Sequence, residues 1–322
     1  MKKLATVLIA IMLIFGALVV FEPKEEFRTD IAFDETLLTD GVETYLAGTE
    51  SRFSDITPGV EKRVIWAAEP EARTELSLVY VHGFSATLEE TRPFADLVAE
   101  ELGANLYYTR LTGHGRGSAA MIEATAEKWM SDIAEALAIG SRIGERVIMI
   151  GTSTGGTLAT LAVHEEMGRN LAGVVLVSPN FQVKNPAVAL FNWPYAKWWL
   201  PLFAGQERSF VPFNEAHELY WTTSYPTMAV FPMTASVKAA LAAPHAAAET
   251  PALFVFDAED QVVDHEVTRA IAAAWGGLAT IHEVRASPDS DPVSHVIAGD
   301  ILSPAMTRPM ADFVSDWIRE LP

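Results

Sequence analysis

The stretch Gly151-Thr152-Ser153-Thr154-Gly155 constrains the fold more than any other part of the chain. An apolar, β-branched run, Arg146-Val147-Ile148-Met149-Ile150, leads into it, and a helical segment, Gly156 to Met167, leads out. A strand, a Gly-x-Ser-x-Gly turn and a helix form a corner that pushes one side chain out of the sheet edge. The glycines leave room for a sharp, strained turn. Ser153 is expected to stand exposed there, with the free N–H groups of the following helix beneath it. Gly and Ser are common, and a plain glycine-rich turn with a surface serine reads the same way. The weight therefore rests on the flanking strand and helix.

The rest of the chain supplies the setting. Strands are expected at 63–68, 76–81, 106–109, 146–150, 171–177, 251–256 and 280–284. Helices are expected at 92–102, 124–143, 156–167, 265–275 and 306–321. Apolar strands separated by helices predict an α/β fold, with a mostly parallel central sheet covered on both faces. Sites in such sheets lie at the carboxyl ends of the strands. His82-Gly83-Phe84-Ser85, Leu111-Thr112-Gly113-His114-Gly115, the Ser153 turn, Asp257 to Asp264 and Ser294-His295 all fall at those ends.

Between 182 and 248 the rhythm breaks. Trp193, Trp198, Trp199 and Trp221 crowd this segment with further rings, and prolines cut it into short pieces. It reads as an inserted, aromatic-rich helical cap over the strand ends. Some of its rings would line an apolar pocket, and others would form an ordinary subdomain core. The expected organisation is a leader (1–21), a tether and N-terminal arm (22–60), an α/β core (61–181 and 249–322) and the cap (182–248).

A serine hydroxyl is a poor nucleophile near neutral pH and needs a base, which in turn needs an orienting acid. The order Ser…Asp…His goes with this kind of turn. Ser153, Asp260 and His295 provide it. Asp257, directly after its strand, is the second candidate for the acid, and Asp264 is placed to cap the next helix. His295 is preferred as base because His282 is tied to a sheet face, while His245 and His265 read as solvated. His114 reads as shaping its loop. An oxyanion would be held by the backbone N–H groups of Phe84 and Thr154.

The formal charge of -19 argues against nucleic acid and anionic membrane surfaces as partners of the soluble part. With no cysteine, disulfides, a cysteine nucleophile and a cysteine-ligated metal are excluded. Met1-Lys2-Lys3 precedes an uncharged apolar run from Leu4 to Phe21, which reads as an export signal. Its bulky end, Val19-Val20-Phe21, favours an uncleaved signal anchor over a removed signal peptide. Either way the catalytic part would be exported, as a membrane-anchored or a secreted or periplasmic protein.

Taken together, His82-Gly83-Phe84, the Leu-x-Gly-His-Gly stretch at 111–115, the Ser153 turn, Asp260 in its Asp-x-Val-Val setting and Ser294-His295 resemble the α/β-hydrolase family. The likeness is to its serine carboxylesterase and monoacylglycerol-lipase-like members, and it runs from about residue 61 to the C-terminus. It implies a nucleophile at Ser153, an acid at Asp260, a base at His295 and oxyanion donors at Phe84 and Thr154, with no metal and no cofactor. The implied reaction is hydrolysis of a small, moderately apolar ester, such as a lipid-like one. Carbon–carbon bond hydrolysis and acyl transfer use the same residues, and a non-catalytic module binding an apolar ligand is the remaining alternative. The sequence departs from many relatives in having threonine on both sides of Ser153, where they have His and Met. It also carries Asp257 where they often have glycine. Oligomeric state is not readable.

Overall fold

The computed structural model describes Gly16 and residues 27–322. The apolar run expected to act as a signal anchor or signal peptide lies outside the described residues, apart from Gly16. Among the described residues, no helix is long and apolar enough to cross a membrane.

Helix α1 (Val42–Glu50) precedes the sheet. There follow β1 (Arg63–Ile65), β2 (Thr74–Val81), α2 (Phe94–Leu102), β3 (Asn105–Tyr108), α3 (Ala126–Ile143), β4 (Gly144–Thr152), α4 (Thr154–Val163) and β5 (Leu171–Val177). An insertion then carries α5 (Ala196–Ala204), β6 (Glu207–Ser209), α6 (Glu215–Tyr220), β7 (Ser224–Pro226) and α7 (Val230–Leu241). The chain returns to the sheet with β8 (Ala252–Asp257), α8 (His265–Ala274), β9 (Ala279–Val284) and α9 (Pro304–Arg319).

The main sheet has the order β1-β3-β2-β4-β5-β8-β9, and only the edge strand β1 runs antiparallel to its neighbour. Its inner strands carry apolar runs because both faces are covered, whereas the edge strands β1 and β9 are only partly buried. Alternate residues divide the core in two. Val79, Val147, Met149, Val174, Leu176 and Phe254 face α3, α4 and α8. Leu78, Ile148, Ile150, Val175, Leu253 and Val255 face α2 and α9. Helix starts follow local chemistry: the Thr125 side chain accepts from Lys128 N–H ahead of α3, and Asp264 accepts from Glu266 N–H ahead of α8.

Two elements are shorter than the sequence pattern suggests. The first strand stops at Ile65 rather than residue 68. The helix after Ser153 begins at Thr154 and ends at Val163, with a separate 3-10 turn at Glu166–Gly168. His245, read from sequence as solvated, is buried between His164 and Trp275, with ring centroids 5.8 and 6.1 Å away. Its apolar surroundings hold the imidazole below its usual pKa, mainly through burial.

Candidate active site

The Ser153 corner is forced by contacts on both sides. A Cβ on Gly151 would lie 2.5 Å from the Gly155 carbonyl oxygen, and one on Gly155 would lie 2.1 Å from that of Val81. Neither position has room for a side chain, so β2, β4 and α4 meet backbone to backbone. Ser153 takes φ 52° and ψ −114°, a conformation L-residues rarely adopt. Its N–H donates to Val177 O at 2.9 Å and its carbonyl accepts from Asn180 N–H at 3.0 Å, which pins the strained residue to the end of β5.

Ser153 is not exposed as the sequence suggested; it is only 7% accessible. Neighbouring chain covers it. Gly83 lies close enough that a Cβ there would sit 3.2 Å from Ser153 Cβ. The loop after β9 brings in His295, whose Nε2 lies 3.0 Å from Ser153 Oγ. His295 Nδ1 lies 2.8 Å from Asp260 Oδ2. The other Asp260 oxygen accepts from Val262 N–H at 2.7 Å and Val263 N–H at 3.0 Å, so the carboxylate is fixed before it meets the imidazole.

Asp257 is occupied elsewhere. Its carboxylate accepts from Glu259 N–H at 2.8 Å and Ala286 N–H at 2.6 Å, bracing the loops after β8 and β9. Asp264 caps α8. His282 stacks on Phe313 at 3.6 Å, and His265 stacks on Phe256 at 5.9 Å. The structure thus brings Ser153, His295 and Asp260 together and leaves the other sequence candidates apart.

The expected oxyanion donors occupy the ends of two elements. Thr154 opens α4, where first-turn N–H groups have no intrahelical partner and the helix dipole favours negative charge. Phe84 follows β2, and among the described residues its N–H finds no acceptor in the chain. Beside it His82 is fully buried. Its Nδ1–H donates to Gly83 O at 2.8 Å and its Nε2 accepts from Leu111 N–H at 3.1 Å. Burial lowers its pKa to about 4, so the ring is a neutral tie between loops. His114 packs at a tilt between His82 and Trp129, with centroids 5.0 and 5.7 Å away, and is held neutral in the same way.

Two buried acids at the site were not singled out from sequence. Asp291 accepts from Val293, His295 and Val296 N–H groups at 3.2, 3.0 and 2.8 Å, folding the loop that carries His295. Glu90, 3% exposed, accepts from Gly83 N–H at 2.8 Å. Neither spacing differs from that of acids on a solvated face, which is why they are silent in the sequence. The charges around His295 decide its basicity. Burial disfavours the imidazolium, but the Asp260 charge and hydrogen bond, with Glu90 and Asp291, outweigh it and raise the pKa above its usual value.

The insertion lies against this region. Tyr225 meets the Phe84 ring edge-on at 5.0 Å, and Thr222 N–H donates to Ser85 O at 2.7 Å. Trp221 packs with Ala86, Val296 and Leu302 next to His295. Other rings face outward, among them Trp198 and Phe203 on α5, 79% and 83% exposed.

Residues 72–284 match the family described as serine aminopeptidase, S33. That span is well over half of the chain. The chain belongs to this family of α/β-hydrolases. Solved structures agree on the fold. A metagenome-derived lipolytic enzyme superposes with a TM-score of 0.67 at 21% identity, covering 82% of this chain and 99% of the other. The Paleococcus ferrophilus monoacylglycerol lipase gives 0.59 at 16% identity, covering 80% and 97%. A soluble variant of the Saccharomyces cerevisiae monoglyceride lipase, solved with a substrate analogue, gives 0.59 at 11% identity, covering 81% and 90%. At these identities the likeness is one of fold. No curated protein sequence matches the chain.

Proposed function

We propose that this S33-family chain is a serine hydrolase cleaving carboxylic esters of moderately apolar acyl groups through Ser153, His295 and Asp260. The observation that carries the reading is the continuous hydrogen-bond path from Ser153 Oγ through His295 to Asp260, at 3.0 and 2.8 Å. His295 Nε2 takes the Ser153 proton as Oγ attacks the ester carbonyl carbon. The Phe84 and Thr154 N–H groups receive the oxyanion, each being worth ~10²–10³ in rate. His295 then gives its proton to the departing alkoxide, leaving an acyl-Ser153. A water deprotonated by His295 attacks that acyl carbon, and the proton returns to Ser153 as the acid leaves.

The insertion supports an apolar acyl group as the part of the substrate it meets. Tyr225, Phe84 and Trp221 bring apolar rings to the ends of the strands, the arrangement a roof over an acyl site requires. Relatives in fold include lipolytic enzymes and monoacylglycerol lipases, which makes a lipid-like ester the first substrate to try. Residues 4–21, as a signal anchor, would hold such an enzyme at a membrane.

A fluorophosphonate probe tests the reading. The wild type is expected to be labelled, and Ser153→Ala is not. p-Nitrophenyl esters of increasing chain length, monoacylglycerols and an aminoacyl p-nitroanilide then rank the substrates. Hydrolysis of the anilide alone would sink the ester assignment, and equal labelling of Ser153→Ala would remove the serine mechanism altogether.

A further inference from the structure

Glu90 has no part in the reaction as written above, yet its carboxylate is buried against Gly83, the residue that abuts Ser153. It sits in a short 3-10 turn, Leu88–Glu90, between β2 and α2. Its Oε2 accepts from Gly83 N–H at 2.8 Å and from Tyr80 O–H at 3.3 Å. A Cβ placed on Gly83 would lie 2.6 Å from Glu90 Oε1 and 3.2 Å from Ser153 Cβ. The carboxylate and the serine therefore flank the same point, with the bare Cα of Gly83 between them. The turn is also wedged against the loop carrying His295. A Cβ on Gly299 would lie 2.7 Å from Glu90 O, and Asp300 N–H donates to Arg92 O at 2.9 Å.

We propose that Glu90 is a positioning residue of the Ser153 site, fixing the Gly83 peptide beside the serine and supplying a second negative charge to His295. The proposal rests on the hydrolase reading of Ser153 and His295. Holding the Gly83 N–H fixes the His82–Gly83 peptide, one peptide before the Phe84 N–H proposed as oxyanion donor. A carboxylate in that place also favours the imidazolium that forms as Ser153 loses its proton.

The neighbours are consistent with a residue kept for its charge. From β2, Tyr80 donates to Glu90, and from β4, Thr152 Oγ lies 3.1 Å from the Tyr80 hydroxyl. From the loop after β9 comes His295, whose Nδ1 holds Asp260 and whose backbone N–H donates to Asp291. The adjacent Glu89 turns instead to Arg92, which also holds Asp96. Arg92 is thus engaged with other acids, and His295 is the cation that stabilises ionised Glu90. Burial lifts Glu90 to about 7, while the Gly83 hydrogen bond and His295 hold it from rising further. The Glu90 and His295 charges favour each other's ionised form.

Glu90→Gln separates charge from shape, because its carbonyl oxygen still accepts from Gly83 N–H. Activity is normalised to the fluorophosphonate titre, so unfolded protein does not count. The wild-type acid limb of kcat against pH is expected to fall with two protons. In Glu90→Gln it falls with one, its midpoint moves down by about one pH unit, and the plateau drops roughly tenfold, with KM unchanged. Glu90→Ala, losing the brace as well, drops the plateau further. A Glu90→Gln profile that superimposes on the wild type overturns the proposal, as does a loss confined to the amount of folded enzyme. The same coupling is read without turnover by 15N NMR titration of the His295 imidazole. A lower midpoint in Glu90→Gln supports the proposal even if no ester is turned over, whereas identical titrations refute it. Failure of Ser153-dependent ester hydrolysis would count against the function proposed above.

Discussion

At the residue scale, what a carboxylate touches separates two acids that lie three positions apart. Asp260 meets the imidazole, while Asp257 spends both oxygens on backbone N–H groups of neighbouring loops. Asp260→Asn is expected to cost about 10⁴ in kcat, because the amide cannot hold His295 in the tautomer that accepts from serine. Asp257→Asn should leave kcat within a few-fold and cost about 1 kcal/mol of stability, since one buried acceptor is lost. Initial rates and urea unfolding of both variants check the pair, and the reverse ranking would exchange their roles. The pH dependence follows from the same charges. His295 must be neutral to act as base, and its pKa lies above the usual value. Activity should therefore rise with pH through a midpoint above about 6.5. A lower midpoint in kcat/KM would contradict the surroundings described for His295.

At the scale of elements, the corner and the His295 loop are held by different means. Gly155 is held by contact: an added methyl would overlap the Val81 carbonyl at 2.1 Å. Gly155→Ala should cost about 3 kcal/mol, the upper end of ordinary overpacking penalties, seen as a lower urea midpoint. The His295 loop is held by Asp291, which gathers three N–H groups. Asp291→Ala should lower kcat about tenfold or more while Ser153 stays in place, because misplacing the base costs orientation. A normal kcat in a folded Asp291→Ala enzyme would show that the loop holds itself. These two elements also show what the sequence could carry. The strands, helices and Gly-x-Ser-x-Gly turn were legible because periodicity and glycine spacing are local. The pairing of Asp260 with His295 was a ranked choice among local candidates. Asp291 and Glu90 were not legible, since a buried acid and a solvated one look alike until the loops around them fold. Between β5 and β8 the sequence shows a break in rhythm, but not which of the rings there face inward: Trp221 packs beside Val296, while Trp198 is exposed.

On the scale of the whole molecule, the segment before β1 belongs to the core more than its polar composition suggests. Leu38, Val42 and Leu46 are buried in the same cluster as Trp129 and Ile133 of α3. Glu50 makes a two-point ion pair with Arg110 at 2.7 and 2.9 Å, and the Arg110 side chain is only 4% exposed. Burial pulls the Glu50 pKa up, but the Arg110 hydrogen bonds and charge pull it down further, to a net lowering. The pair therefore stabilises the fold above the unfolded carboxyl value, and this is lost as pH falls through the lower folded one. Further towards the N-terminus, Thr29 Oγ donates to Glu165, just beyond the end of α4. That helix starts at Thr154, next to Ser153, and runs about 15 Å away from it, so residues 27–33 lie at the opposite end of the sheet from the site. Two truncations separate these regions. Every contact described for Ser153 comes from residues 27–322, so without residues 1–26 kcat and KM on a soluble ester should stay within twofold. Removing residues 1–58 strips Leu38, Val42 and Leu46 from the core and takes away both the Glu50 carboxylate and the Phe53 ring that hold Arg110. That protein should fail to fold cooperatively, whereas Glu50→Gln, which keeps the apolar arm, should fold with a lower thermal midpoint and normal kcat. A stable, active 59–322 fragment would show that the arm lies on a core complete without it.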